Sequence, residues 1–158
     1  MERRNLDVVV ISDVHLGTYG CHAKELVTYL RSIKPTMLVL NGDIIDGWQF
    51  TKSFFPDSHI AVIKEIMELM MRHQTKVYYI TGNHDELLRK YSDLSLGLFT
   101  LTDKLVIEIN KKMTWIFHGD VFDNTTKGSA RFVAKLGSSG YALLILLNKL
   151  INCILQEL

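Results

Sequence analysis

The sequence predicts an α/β fold: layered β-sheets, mainly parallel in the first half of the chain, flanked by helices. Two observations carry this. Strand-like runs of β-branched and aromatic residues alternate with amphipathic stretches at helical spacing, which implies right-handed crossovers between parallel strands. Four strand-like runs also end in polar clusters able to bind metal, at the place where open α/β sheets put their chemistry. These clusters are Asp13-Val14-His15 after Val8–Ile11, Gly42-Asp43 after Met37–Leu40, Gly82-Asn83-His84-Asp85 after Val77–Ile80, and His118-Gly119-Asp120 after Trp115–Phe117.

Composition narrows the class. A chain of 158 residues is long enough for one domain with a real core. With 47% apolar and 22% charged residues it is globular in balance, not disordered. A net charge of +1 gives no electrostatic footprint for nucleic acid, and no nucleic-acid partner is expected. Nothing in the sequence signals a protein partner. Cys21 and Cys153 match no zinc spacing and read as free thiols of a reducing compartment. The start is basic, at Arg3-Arg4, but the apolar run Val8–Ile11 is too short for a signal peptide, so a mature cytoplasmic N-terminus is expected. No run of about 18 apolar residues predicts a transmembrane helix.

The first strand spans residues 6–12, with residues 13–18 as the loop at its tip. A helix is predicted over 22–33, with Leu26, Val27, Leu30 and Ile33 on one face and Pro35 ending it. Residues 37–40 are the second strand and 41–47 its loop. An irregular aromatic stretch, 48–55, follows; Trp48 and Phe50 read as loop packing or a substrate wall. Asp57 or Ser58 caps the next helix, which runs to Arg72 with Ile60, Ile63, Met67 and Met70 inward. His22, His59 and His73 fall near helix ends and read as surface or capping residues. Residues 76–80 are the third strand, and 86–91 a short helix. Leu105–Ile109 and Thr114–Phe117 form a hairpin around Asn110-Lys111-Lys112.

Beyond Asp120 the character changes, and two helices are predicted at 127–136 and 140–158. Residues 1–126 therefore read as a core unit and 127–158 as the start of a helical cap. The last helix carries Leu143, Leu147, Leu150, Ile154 and Leu158 on one stripe, widened by neighbouring apolar residues. Such a stripe suits either a buried core helix or a face that holds acyl chains or lies on a membrane surface. Arg131 and Lys135 on the preceding helix are either solvated or in contact with a diphosphate.

Carboxylate, imidazole and amide oxygen together suit Mn²⁺, Fe²⁺ or Zn²⁺, and the lack of thiolates argues against a structural zinc site. A carboxylate at a central strand tip can bridge two cations about 3.5–4 Å apart. Such a pair binds a phosphoryl oxygen and lowers the pKa of a water between them. His84 is placed to donate a proton or hydrogen bond to developing charge, and Asp85 to orient that imidazole. Singly, Asp13, Asp43, Asp85 and Asp120 could each be caps or turn formers; four such clusters at four strand ends argue for a site.

In order and spacing these clusters resemble the motif series of the calcineurin-like metallophosphoesterases. Within that superfamily the chain most resembles the UDP-2,3-diacylglucosamine pyrophosphatase branch, through Ile11-Ser12-Asp13-Val14-His15-Leu16-Gly17, through Asn41-Gly42-Asp43-Ile44-Ile45-Asp46 followed by Trp48, and through the helical insert after Asp120. The resemblance implies two divalent metals, with Mn²⁺ the expected ion. One would be held by Asp13 and His15, the other by Asn83 and His118, with Asp43 shared and His84 and Asp85 catalytic. It implies hydrolysis of UDP-2,3-diacylglucosamine to UMP and lipid X in lipid A synthesis, in the cytoplasm or peripherally on the inner face of the membrane through 140–158. Two departures stand out. The branch often has Arg where this chain has His84, which agrees with the wider superfamily. The family's Gly-His-x-His motif is missing, the last histidine being His118. The chain is therefore expected to be truncated before the second half of the fold and impaired when alone. The alternatives are a soluble phosphodiesterase or phosphatase with a non-lipid substrate, and a metal-binding scaffold without catalysis.

Overall fold

The structure, a computed structural model, describes residues 2–47 and 55–122. Its frame is a five-stranded sheet in the order β1 (Arg4–Ile11), β2 (Ile33–Asn41), β3 (Lys76–Ile80), β5 (Phe99–Thr102), β4 (Leu94–Leu96). The first four of these pair in parallel, and β4 runs antiparallel to β5. Two helices, α1 (Ala23–Arg31) and α2 (Asp57–His73), supply the first two crossovers. The period-two alternation of each strand sorts its apolar residues onto two faces. Val9, Leu38, Leu40, Val77 and Tyr79 face the helices and pack with Val27, Leu30, Val62 and Leu69. Val39 and Ile80 point the other way, onto Leu105 and Ile107 of a hairpin. That hairpin, β6 (Leu105–Ile109) and β7 (Lys112–Ile116), forms a separate two-stranded sheet. Its turn residues Asn110 and Lys111 both have positive φ, 52° and 63°, as a two-residue turn with the right twist requires.

The structure departs from the sequence reading at several points. The first helix ends at Arg31, and Pro35 lies inside β2 instead of stopping the helix. Pairing of β2 with β3 begins only at Met37, and the Pro35 carbonyl accepts the Thr75 hydroxyl at 2.7 Å on that side. The missing N–H of Pro35 therefore interrupts no β2–β3 bond. Pro56, not Asp57 or Ser58, is the N-cap of α2, and no side chain caps it. The inward face of α2 is also rotated from the expected one. His59, Val62, Glu65 and Leu69 are buried, Ile60, Ile63 and Met67 are exposed, and Met70 is half-buried. β4 and β5 are too short to show as periodic runs, and the sequence reading lacked them. Trp48, Phe50, the helices at 127–136 and 140–158, Arg131, Lys135 and the 126/127 division all lie outside the described residues.

Two polar residues explain the rotation of α2. Glu65 accepts from Arg3 Nη2 at 2.7 Å and from Arg31 Nε at 3.0 Å, tying the starts of β1 and β2 and the end of α1 to α2. Burial alone would raise its carboxyl, but the two guanidinium groups outweigh that and hold it below the usual value. His59, expected on the surface, is 3% exposed and accepts the Gly17 N–H at Nδ1, 3.0 Å away, with Phe55 edge-on against its ring. Burial lowers the pKa of this imidazole, in keeping with the acceptor role of Nδ1. Among the described residues no helix is long and apolar enough to cross a membrane.

Candidate metal centre

The carboxyl ends of β1, β2 and β3 meet the turn after β7. The loops there are laced backbone to backbone: Asp13 N–H to Gly42 O at 3.2 Å, His15 N–H to Asp43 O at 2.9 Å, Leu16 N–H to Ile44 O at 2.8 Å. This lacing holds Asp13, His15 and Asp43 at φ of 54°, 52° and 55°. The left-handed region is uncommon for residues other than glycine, although Asp, Asn and His enter it most readily. Two glycines make room for the donors. A Cβ on Gly42, which has φ +74°, would fall on the His118 ring, and one on Gly82 would fall on the Asp43 carboxylate and amide.

The donor atoms gather into two groups around one carboxylate. Asp13, Asp43 and His118 form one and His15, Asp43 and His84 the other, with the ligand atoms of each within 4.8 Å of one another. Asp43 is 4% exposed and belongs to both. The His118 Nδ1 lies 3.1 Å from the Asn41 carbonyl, which fixes the proton there and leaves Nε2 3.5 Å from Asp43 Oδ2. A second hydrogen bond that turns the free nitrogen inward is the usual arrangement of a metal-ligating histidine. Asp43 accepts the His84 N–H at 2.9 Å on its other oxygen. Burial alone would raise the Asp43 carboxyl, but the His118 hydrogen bond, the His84 amide and the charges of both rings hold it low. The same Asp43 contact pushes His118 up to about 9 against the opposing effect of burial. Oxygen and imidazole donors around a shared, ionised carboxylate, without thiolate, fit a pair of divalent ions.

His118 clusters with Asp13 and Asp43, and His15 with Asp43 and His84. Asn83 is half-buried in the turn between Gly82 and His84. Asp85 does not have its carboxylate committed to the His84 ring. One oxygen accepts the Tyr79 hydroxyl at 2.6 Å and the Ile44 N–H at 3.0 Å, and the other accepts the Gly82 N–H at 2.5 Å. It pins the turn as a buried brace, and together with burial it raises the Tyr79 hydroxyl far above its ordinary value. The carboxylate beside His84 is Asp46, 1% exposed, with Oδ2 3.0 Å from His84 Nδ1 and 3.4 Å from His15 Nδ1. The His15 and His84 rings meet edge to face, 4.7 Å apart. The Asp46 hydrogen bond is the main reason the His15 pKa is raised. Sequence reasoning gave Asp46 no role, although its spacing of three from Asp43 within one strand-tip loop was a usable signal.

Parallel strands, donor-bearing tips and an oxygen–imidazole cluster around one carboxylate form a candidate metal centre. The calcineurin-like phosphoesterase family model matches residues 6–149, and the chain belongs to that family. Membership implies divalent metal ions. Among individual proteins the chain is similar to the UDP-2,3-diacylglucosamine hydrolase of Wigglesworthia glossinidia brevipalpis, 28% identical over 134 residues, covering 80% of this chain and 52% of the relative. It is also similar to those of Blochmanniella pennsylvanica (strain BPEN), 28% identical over 121 residues covering 73% and 47%, and of Aliivibrio fischeri (strain MJ11), 25% identical over 118 residues covering 73% and 48%. The chain thus spans about half the length of the curated relatives it matches.

Proposed function

We propose that the protein is a hydrolase that cleaves the diphosphate bond of a nucleotide-linked acylated sugar, of the UDP-2,3-diacylglucosamine type, using two divalent metal ions. The observation that carries the metal reading is Asp43, one buried carboxylate shared by two donor groups. Asp13, His15, Asn83 and His118 would complete the ligands from this chain. Bound Mn²⁺, or Fe²⁺ or Zn²⁺, would supply Lewis acidity at phosphorus and a water of lowered pKa. Asp43 would be the ligand shared between the two sites. Asp46 Oδ2 lies 3.0 Å from Nδ1 of His84, and in this reading the imidazole donates to a phosphoryl or leaving oxygen. Asp85 keeps the turn that carries His84 fixed against β2.

The lipid part of the reading is supported by the names of the relatives and by a cavity of about 410 Å³ next to the site. Ile45, Gly47, Phe55, Leu87 and Leu88 line it beside Asp85. An apolar cavity of this size takes alkyl chain and rejects a charged phosphate. The same reading puts the protein in the cytoplasm, at the inner membrane face where an acylated substrate lies. His84 favours a second reading, a phosphodiesterase with a soluble substrate, because it fits the wider superfamily. The experiment compares Mn²⁺-loaded protein on UDP-2,3-diacylglucosamine in mixed micelles and on a chromogenic phosphodiester. Release of UMP with a clear preference for the acylated substrate is the expected result. Turnover of the soluble diester alone would leave the second reading, and metal binding with neither activity would leave a scaffold.

A further inference from the structure

The candidate donors come from two layers. Asp13, His15, Asp43 and Asn83 stand at the tips of the five-stranded sheet, whereas His118 follows β7 of the hairpin sheet. The layers meet through Val39, Ile80 and Leu105, with Ile107 and Ile116 around them. Apolar contact is non-directional, so it brings the layers together without fixing their register to the tenths of an ångström that ligation needs. The register must be set by directional bonds at the site end.

Arg89, in the 3₁₀ turn Glu86–Tyr91, makes such bonds. Its Nη2 donates to Asp120 Oδ2 at 2.8 Å and lies 3.4 Å from the Thr81 carbonyl. Its Nε lies 3.3 Å from the Thr81 hydroxyl and 3.5 Å from Asp103 Oδ1, and that hydroxyl donates to Asp103 at 2.6 Å. One planar fork therefore joins three chain segments. Thr81 immediately precedes Gly82-Asn83-His84-Asp85, Asp103 lies between β5 and β6, and Asp120 is two residues after His118. The Asp120 side chain is 4% exposed and forms its ion pair with Arg89 at 2.8 Å.

We propose that Arg89 is a positioning residue that holds the His118 turn in register with the Asp43 loop, so that both layers contribute to one metal pair. This rests on the metal reading above. A lysine cannot substitute, because a single ammonium reaches one of the three segments where the guanidinium fork reaches all of them.

Mn²⁺ affinity of the full-length protein tests it, measured by calorimetry well below the melting point of each variant. Arg89→Ala is expected to weaken Mn²⁺ binding about 10–100-fold, as loss of a group that orients a ligand does. Arg89→Lys is expected to stay weak, and free guanidinium to restore part of the Arg89→Ala loss. Asp120→Ala is expected to match Arg89→Ala, and the double variant to lose no more than either alone. If Arg89→Ala does not fold, Asp120→Asn carries the comparison with the same expected weakening. Wild-type affinity in Arg89→Ala, losses that simply add in the double variant, or full rescue by lysine would overturn the positioning role and leave the metal site standing. A wild-type protein that takes up no Mn²⁺ would overturn both.

Discussion

Replacing Gly42 by alanine puts a methyl group where the His118 ring now lies. An L-residue at φ +74° costs about 1–2 kcal/mol, and pushing a methyl into a packed site about 1–3 kcal/mol. The lower entropy of the unfolded alanine chain returns about 0.4–1 kcal/mol, too little to reverse the sign. The ring cannot simply recede, because its side chain is 12% exposed and its Nδ1 is bonded to the Asn41 carbonyl. A net loss of about 1–4.5 kcal/mol corresponds to a fall in Tm of roughly 2–18 °C for a chain of this size. The displaced imidazole should also be lost as a ligand. Differential scanning calorimetry and Mn²⁺ titration read the two effects separately. An unchanged Tm with full metal uptake would mean that His118 does not pack on Gly42 and that the donor cluster is arranged otherwise.

Asp46→Asn should lower turnover about 10–100-fold with the fold intact by circular dichroism, and unchanged turnover would detach Asp46 from His84. His84→Ala should lower turnover about 10²–10⁴-fold with metal content retained, whereas loss of metal by elemental analysis would make His84 a ligand. Glu65→Ala removes the carboxylate shared by Arg3 and Arg31 and should cost about 1–3 kcal/mol, less than a fully buried pair because Arg3 keeps the Leu30 and Ile33 carbonyls and Glu68 and because Arg31 is 63% exposed. Because the Glu65 carboxyl titrates below its ordinary 4.5 in the fold, its stabilisation is complete above that pH and fades as pH falls through the lower folded value. Thermal melts of the wild type should therefore weaken on acidification below about pH 4.5 more steeply than those of Glu65→Ala; parallel curves would remove the ion triad from the acid response.

The parts of the site carried by strand ends were legible, because an apolar run followed by Asp or His is a local signal. Asp13, His15, Asp43 and His118 do converge, and β1 to β3 lie where their runs of Val, Ile and Leu put them. Partnerships across the fold were not legible. Asp85 is next to His84 in sequence, but a sharp turn sends neighbouring side chains apart, while Asp46, 38 positions earlier, arrives beside the imidazole. The α2 face was misjudged for a related reason. Ile60, Ile63 and Met67 form a plausible stripe, yet helix α2 turns His59 and Glu65 inward because each has a partner there that no helical periodicity reveals.

Three of the candidate donors, Asp13, His15 and Asp43, have left-handed backbone. Few side chains tolerate that conformation without glycine's freedom, and Asp, Asn and His, which tolerate it best, are also oxygen and nitrogen donors. The backbone thus acts as a filter on what chemistry these positions can evolve. A designer who wished to turn the site toward a softer metal with cysteine at 13, 15 or 43 would place there a residue that enters this region less readily than Asp or His, before any ligand bond formed. Loops that return to ordinary φ would have to be rebuilt first, so the preference for hard and borderline ions is written into the chain's path as well as into its side chains.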